Sequence, residues 1–216
     1  MKKRIFIITL TLILLTTWCY AGWYYLPHRR KAHREVELTI QPATSAGKNV
    51  RVLSNNGNTN YETQQAIEIG YRSATAGIGR GLFQYDISGI PAGAELISAI
   101  FYIYMGTTNE NETDTDTFLI HRITESWAAS TVTYNNKPAY NGGTEASLSI
   151  TGMDIGWKEF NITTLVGQWR DLSYPNYGII CKATTEAAAG CQNAFYSSYY
   201  MSDTTKRAKL VIVYRG

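Results

Sequence analysis

From residue 35 onward the 216-residue chain carries one histidine, His121; His28 and His33 precede that span. Any Ser-His-Asp relay would have to use His121, and no HxxxH or HxH metal spacing exists. In TFLIHRITESW, His121 shares a strand face with Leu119 and Ile123, the setting of a structural histidine. Carboxylates gather in TTNENETDTDT (107–117), where Glu110, Glu112, Asp114 and Asp116 offer the hard oxygens that calcium takes. The D-x-D spacing lacks the rest of a calcium loop, so a solvated acidic connection is expected. No cofactor is called for, and Asp114 and Asp116 stand as the candidates for a structural calcium. Asp86, beside a turn, reads as a local hydrogen-bond acceptor, and Glu125 has no evident partner. Glycoside hydrolysis needs two carboxylates at a set separation across a cleft, and no such pair can be assigned. No catalytic residue is named.

What the chain has in quantity is tyrosine, 16 residues of 216. Flat rings suit the apolar faces of pyranoses, with fixed polar groups for the hydroxyls. Arg or Lys would add carboxylate recognition. Tyr102 and Tyr104 stand opposite an apolar stripe and should point outward. Tyr134, with Asn135, Asn136 and Lys137, forms a polar aromatic loop, and Arg122 and Arg170 could join a face. The candidate sugar-binding set is therefore Tyr102, Tyr104, Arg122, Tyr134, Asn136, Lys137 and Arg170. Each has a plainer alternative as turn chemistry or cover for a neighbouring loop.

These residues need a scaffold, and RGLFQYDISGIPAGAELISAIFYIYM (80–105) supplies its pattern. Phe83, Tyr85 and Ile87 alternate with Leu82, Gln84 and Asp86. Ile97, Ala99, Phe101, Ile103 and Met105 alternate with Ser98, Tyr102 and Tyr104. Period-two alternation predicts paired strands with one buried face, and Ser88–Gly93 supplies the turn between them. Similar runs recur at EVELTIQ, KNVRVLS, AIEIGY, TFLIHRI, WKEFNI, YGIICKA, AFYSSYYM and AKLVIVYR. Leu165, Val166 and Trp169 have the spacing of one short helical stretch. The expected fold is all-β: a two-sheet antiparallel, jelly-roll-like sandwich in one domain spanning 35–216.

Lys2-Lys3-Arg4, the apolar run that follows and Cys19-Tyr20-Ala21 read as a signal peptide over 1–21. The competing reading is an uncleaved anchor to about residue 26. Residues 5–26 carry no charge and would span about 33 Å as a helix. Either way the domain is expected outside the cytoplasm, secreted or held at the envelope, with membrane contact only through residues 5–26. Residues 22–34 form a basic linker. Seven of the 20 basic residues precede residue 35, so 13 face 17 carboxylates in the domain, a net −4. Nucleic acid is a poor partner for that balance. Cys181 and Cys191 flank TTEAAAG between two strand-like runs, and a cystine stapling that hairpin is expected in an oxidising compartment.

Four colinear blocks over residues 39–214 resemble the DNRLRE domain, also classed as carbohydrate-binding module family 96. TIQPATSAGKNVRVLSNNGNTNYETQQAIEIG resembles its opening, and RGLFQYDISGIPAGAELISAIFYIYM its RxLLxFDLSxIPxGAxIxSAxLxLY segment. IHRITESWAASTVTYNNKPA resembles its TVTWNNxPA loop, and PNYGIICKA with AFYSSYYMSDTTKRAKLVIVY its closing strands. Glu62 stands where glycine is usual, Tyr134 where tryptophan is usual, and the naming hexapeptide is absent. The resemblance implies a non-catalytic sandwich on an exported protein, binding a polysaccharide or cell-surface glycan, in some members an acidic one. A structural or adhesive surface protein, self-associating into filaments, is the alternative, and a polysaccharide-degrading enzyme is a third.

Overall fold

Alternating side chains place strands at the expected runs and at one the sequence reading passed over, ASLSIT (146–151); the computed structural model describes residues 34–71, 74–75, 77–108, 115–151, 154–187 and 192–216. The signal or anchor segment, the linker to residue 33, Glu110, Glu112, Asp114 and Cys191 lie outside the described residues. Glu35–Gly216 forms one compact unit. Its strands are β1 (Glu35–Ile40), β2 (Lys48–Leu53), β3 (Ala66–Tyr71), β4 (Ile78–Gln84), β5 (Glu95–Thr108) and β6 (Thr115–Arg122). They continue with β7 (Ala146–Thr151), β8 (Gly156–Asn161), β9 (Ile179–Ala183), β10 (Gln192–Tyr196) and β11 (Lys209–Arg215). One helix, α1 (Thr163–Arg170), follows β8.

Every pairing is antiparallel, in the order β1-β11-β5-β10-β3-β4-β9-β6-β7, with β2 also on β4 and β8 also on β5. The ladder folds over to make the expected two layers. β1, β11, β5 and β8, extended by β10 and β3, form one, and β2, β4, β9, β6 and β7 the other. They join where Gly70 pairs with Gly79 and Tyr71 with Ile78. A β-carbon on Gly79 would overlap the Glu68 carbonyl, so this close approach needs glycine.

Phe101, Ile103, Met105, Phe160, Leu210 and Ile212 from the first layer meet Phe83, Phe118, Ile120, Ile179 and Cys181 from the second. The Phe83 and Phe101 rings touch across the layers at 4.9 Å between centroids. Burying each such side chain contributes roughly 1.5–3 kcal/mol. Leu165, Val166 and Trp169 of α1 are buried in the same core. Thr163 fastens the helix start, accepting from the Ala99 amide and donating to Asn161 Oδ1.

Four expectations need correction. Ile97 does not continue the buried stripe of β5; it is 37% exposed while Leu96 packs on the core. The β11 register jumps from Val213↔Ser98 to Tyr214↔Leu96, and the bulged residue between reverses the alternation. The second layer is buried on both faces. Leu82, on the face opposite Phe83, joins Val50, Val52, Ile123, Val132 and Ile180 in a separate cluster. The segment after β6 covers it, held by Trp127, whose indole N–H donates to the Tyr177 carbonyl at 2.8 Å. Asp116 lies not in a solvated loop but buried in β6 opposite Ile150. Its Oδ1 accepts from the Thr117 amide at 2.7 Å and the Thr185 amide at 3.4 Å.

The fourth correction concerns the cystine. β9 and β10 are not hairpin partners: β9 lies between β4 and β6, and β10 between β3 and β5. Cys181 is a buried free thiol facing the core, its pKa pushed well up by burial.

Candidate functional site

Alternation along β5 turns Tyr102, Tyr104 and Gly106 away from the core that holds Phe101, Ile103 and Met105. Residues directly opposite on neighbouring strands share a face. Pairing with β8 therefore sets Trp157 beside Tyr104 and Glu159 beside Tyr102, and pairing with β11 sets Lys209 on the other side of Tyr102. Trp157 meets both tyrosines edge to face, at 6.1 Å from Tyr102 and 5.3 Å from Tyr104. The Lys209 ammonium sits 4.6 Å from the Trp157 centroid and 5.3 Å from Tyr102.

Beyond Tyr104 the missing side chain of Gly106 leaves room for Tyr196, at the end of β10. Tyr196 stacks on Tyr104 at 5.5 Å, and Tyr200 stacks on Tyr196 at 3.6 Å, each pair within 7° of parallel. Lys206 lies 5.0 Å from the Tyr104 centroid and pairs with Asp203 at 3.3 Å. The result is a band of five rings on the outer face of the first layer, with ammonium groups along it.

Its electrostatics favour the neutral forms of Tyr196 and Tyr102. A hydrogen bond with Tyr200, then burial, pushes the Tyr196 pKa up to about 12. Burial, then the carboxylates of Glu159 and Glu37, raises that of Tyr102. The Asp203 hydrogen bond raises that of Lys206, which stays cationic. Ring edges and faces, phenol hydroxyls and ammonium donors on a strand-built surface can stack a pyranose and hydrogen-bond its hydroxyls.

Of the sequence candidates, only Tyr102 and Tyr104 reach this band. Tyr134 and Lys137 come together on the outer face of the second layer, the Lys137 ammonium 4.0 Å from the Tyr134 centroid. Asn136 is occupied by its own turn: Oδ1 accepts from the Thr133 amide and hydroxyl, and Nδ2 donates to the Thr131 carbonyl. Arg122 stacks on Tyr174 at 3.6 Å and faces Glu145 at 3.7 Å. Arg170 donates to the Ala94 carbonyl, tying α1 to the turn before β5. His121 places Nδ1 2.9 Å from the Gly143 carbonyl, so that nitrogen carries the proton, and its ring packs on Tyr140.

Sequence reasoning missed Trp157, Tyr196, Tyr200, Lys206 and Lys209. Trp157 and Lys209 carried a signal, since each alternates with a core residue, Trp157 through WKEF and Lys209 next to Leu210. A model of carbohydrate-binding module family 96 matches residues 42–214. No curated protein matches the chain.

Proposed function

The chain belongs to carbohydrate-binding module family 96, and on that premise we propose that it binds a polysaccharide, without catalysis, along the tyrosine–tryptophan band of its first layer. One observation carries this reading: Tyr102, Tyr104, Trp157, Tyr196 and Tyr200, from three strands and a loop, converge on a single outer face with Lys206 and Lys209. A sugar chain laid on the band would rest its apolar ring faces on Trp157 and the tyrosine edges. Its hydroxyls or carboxylates would meet phenol hydroxyls and ammonium groups.

Non-catalytic binding is supported by what the candidate acids and base are doing. Asp86 accepts from the Ser88 amide at 2.9 Å, Glu125 accepts from the Ala139 amide at 3.0 Å, and His121 is committed to Gly143. None of these partners belongs to the aromatic band. Export of the domain is part of this reading, supported by the charged, apolar and small-residue order of residues 1–21.

Affinity electrophoresis against a panel of neutral and acidic polysaccharides tests the proposal. Retardation by at least one polymer, lost in Trp157→Ala, is the expected result. Indifference to the whole panel would sink it, and concentration-dependent self-association in light scattering would then favour an adhesive surface protein. Release of sugar product from any polymer would instead revive an enzyme.

A further inference from the structure

Tyr102 stands at the centre of a smaller arrangement within the band. Its partner on β8 is Glu159 and its partner on β11 is Lys209, so a carboxylate and an ammonium rise on either side of one phenol ring. Their strands lie about 10 Å apart, two interstrand spacings. Neither group has an ion-pair partner among the described residues. The Lys209 ammonium instead leans over the rings, 5.3 Å from Tyr102 and 4.6 Å from Trp157. Burial, then Glu159 and Glu37, raises the Tyr102 pKa, so both carboxylates are felt at its hydroxyl. One pleat repeat along the same outer face, about 7 Å away, Ile100 and Val211 pair with each other and are half-buried.

The balance of charge selects against ionic sugars. Three carboxylates, Glu37, Glu159 and Asp203, stand with two ammonium groups, Lys206 and Lys209. A uronate chain would meet the carboxylates, and a chain of free amino sugars would meet the ammonium groups. A neutral group that donates on one side and accepts on the other satisfies both. An amide does so: its N–H suits Glu159 and its carbonyl suits Lys209. With one hydrogen bond at each end it spans about 8 Å. A sugar hydroxyl is shorter, and it leaves Ile100 and Val211 facing water. An acetamido group carries a methyl that these two side chains can cover.

We propose that the Glu159–Tyr102–Lys209 arrangement, with Ile100 and Val211, makes the band selective for N-acetylated amino sugars. The acetamido N–H donates to Glu159, its carbonyl accepts from Lys209, and its methyl packs on the aliphatic pair. This inference rests on the carbohydrate reading of the band and narrows it to a neutral, N-acetylated chain.

Calorimetric titration of the full chain tests it with β-linked trisaccharides that differ only in the substituent beside the anomeric carbon. These are cellotriose, tri-N-acetylchitotriose and its free-amine counterpart; N-acetyl-trialanine amide is the peptide control. The N-acetylated sugar should bind about tenfold tighter than cellotriose or better, with an affinity that salt leaves unchanged. Glu159→Ala and Val211→Thr should each shrink that ratio to about threefold or less. Their melting temperatures should stay near wild type, because both side chains point outward. A ratio unchanged in both variants would overturn the assignment of these residues. Equal affinity for cellotriose and its N-acetylated analogue, both lost in Trp157→Ala, would overturn the selectivity and leave the band a sugar site. Tighter binding of the free amine would overturn it too, as would N-acetylated sugar binding that survives Trp157→Ala. The peptide amide binding as tightly as the sugar would identify a peptide site instead. If no trisaccharide binds, this inference fails, while the polysaccharide panel still decides the carbohydrate reading.

Discussion

The Tyr196 ring occupies the space that a side chain on Gly106 would fill, so a residue without a β-carbon on β5 decides where the aromatic band can extend. Gly106→Ala should push Tyr196 off Tyr104 and cost about 1–3 kcal/mol of stability, as overpacking does. Near-ultraviolet circular dichroism should lose tyrosine intensity while the far-ultraviolet strand signal persists. An unchanged near-ultraviolet spectrum would refute this.

Trp157 bridges Tyr102 and Tyr104 and receives Lys209, so it is the anchor of the band. Trp157→Ala should weaken binding of the recognised polysaccharide at least about tenfold, the loss of ~1.4 kcal/mol or more expected of a central aromatic. Because Trp157 lies on the outer face, the melting temperature should change little. Tyr174→Ala, away from the band beside Arg122, serves as the control and should bind as wild type.

Ionisation of tyrosine gives a pH dependence of definite sign. Tyr196 is raised to about 12, and burial raises Tyr85 as well, so the folded state favours their neutral forms. That contribution is complete below the ordinary phenol value of about 10 and is lost as pH climbs through the folded value. Denaturation midpoints should therefore hold steady up to about pH 10 and fall between about 10 and 12. In absorbance titration, Tyr196→Phe should remove one late phenolate transition. If both proteins titrate alike, the Tyr196 assignment is wrong.

The cluster beneath the segment after β6 depends on Trp127, which donates to Tyr177 and lies 4.4 Å under the Lys48 ammonium. Trp127→Ala should cost about 2–4 kcal/mol through lost burial and an orphaned carbonyl. Chemical denaturation measures the loss. Proteolysis should then cut first within residues 124–140. A variant as stable as wild type would show that the segment is held by other contacts.

Cys181 should resist iodoacetamide in the native protein, because the buried thiol cannot readily form the thiolate that reacts. Denaturant without reductant should expose it to full labelling, read by mass spectrometry. Labelling that requires reductant would restore the cystine expected from the sequence.

Strand existence was legible because alternation depends on local spacing, and Tyr102 and Tyr104 were placed outward by the same rule. Trp157 and Lys209 join them only because β8 and β11 both pair with β5, a consequence of strand order that spacing does not encode. Tyr196 escaped because its position follows from packing on Gly106. Ile97 misled because a bulge reverses phase without a sequence marker. The cystine expectation assumed that strands adjacent in sequence are adjacent in space, which β9 and β10 are not.

The Gly70–Gly79 junction gives the sandwich a spine, like a book bound along one side. At the other margin, β7 lies beside β8, and among the described residues the two share no ladder. With no ladder of hydrogen bonds to break there, that unbound fore-edge is where the two layers separate at least cost.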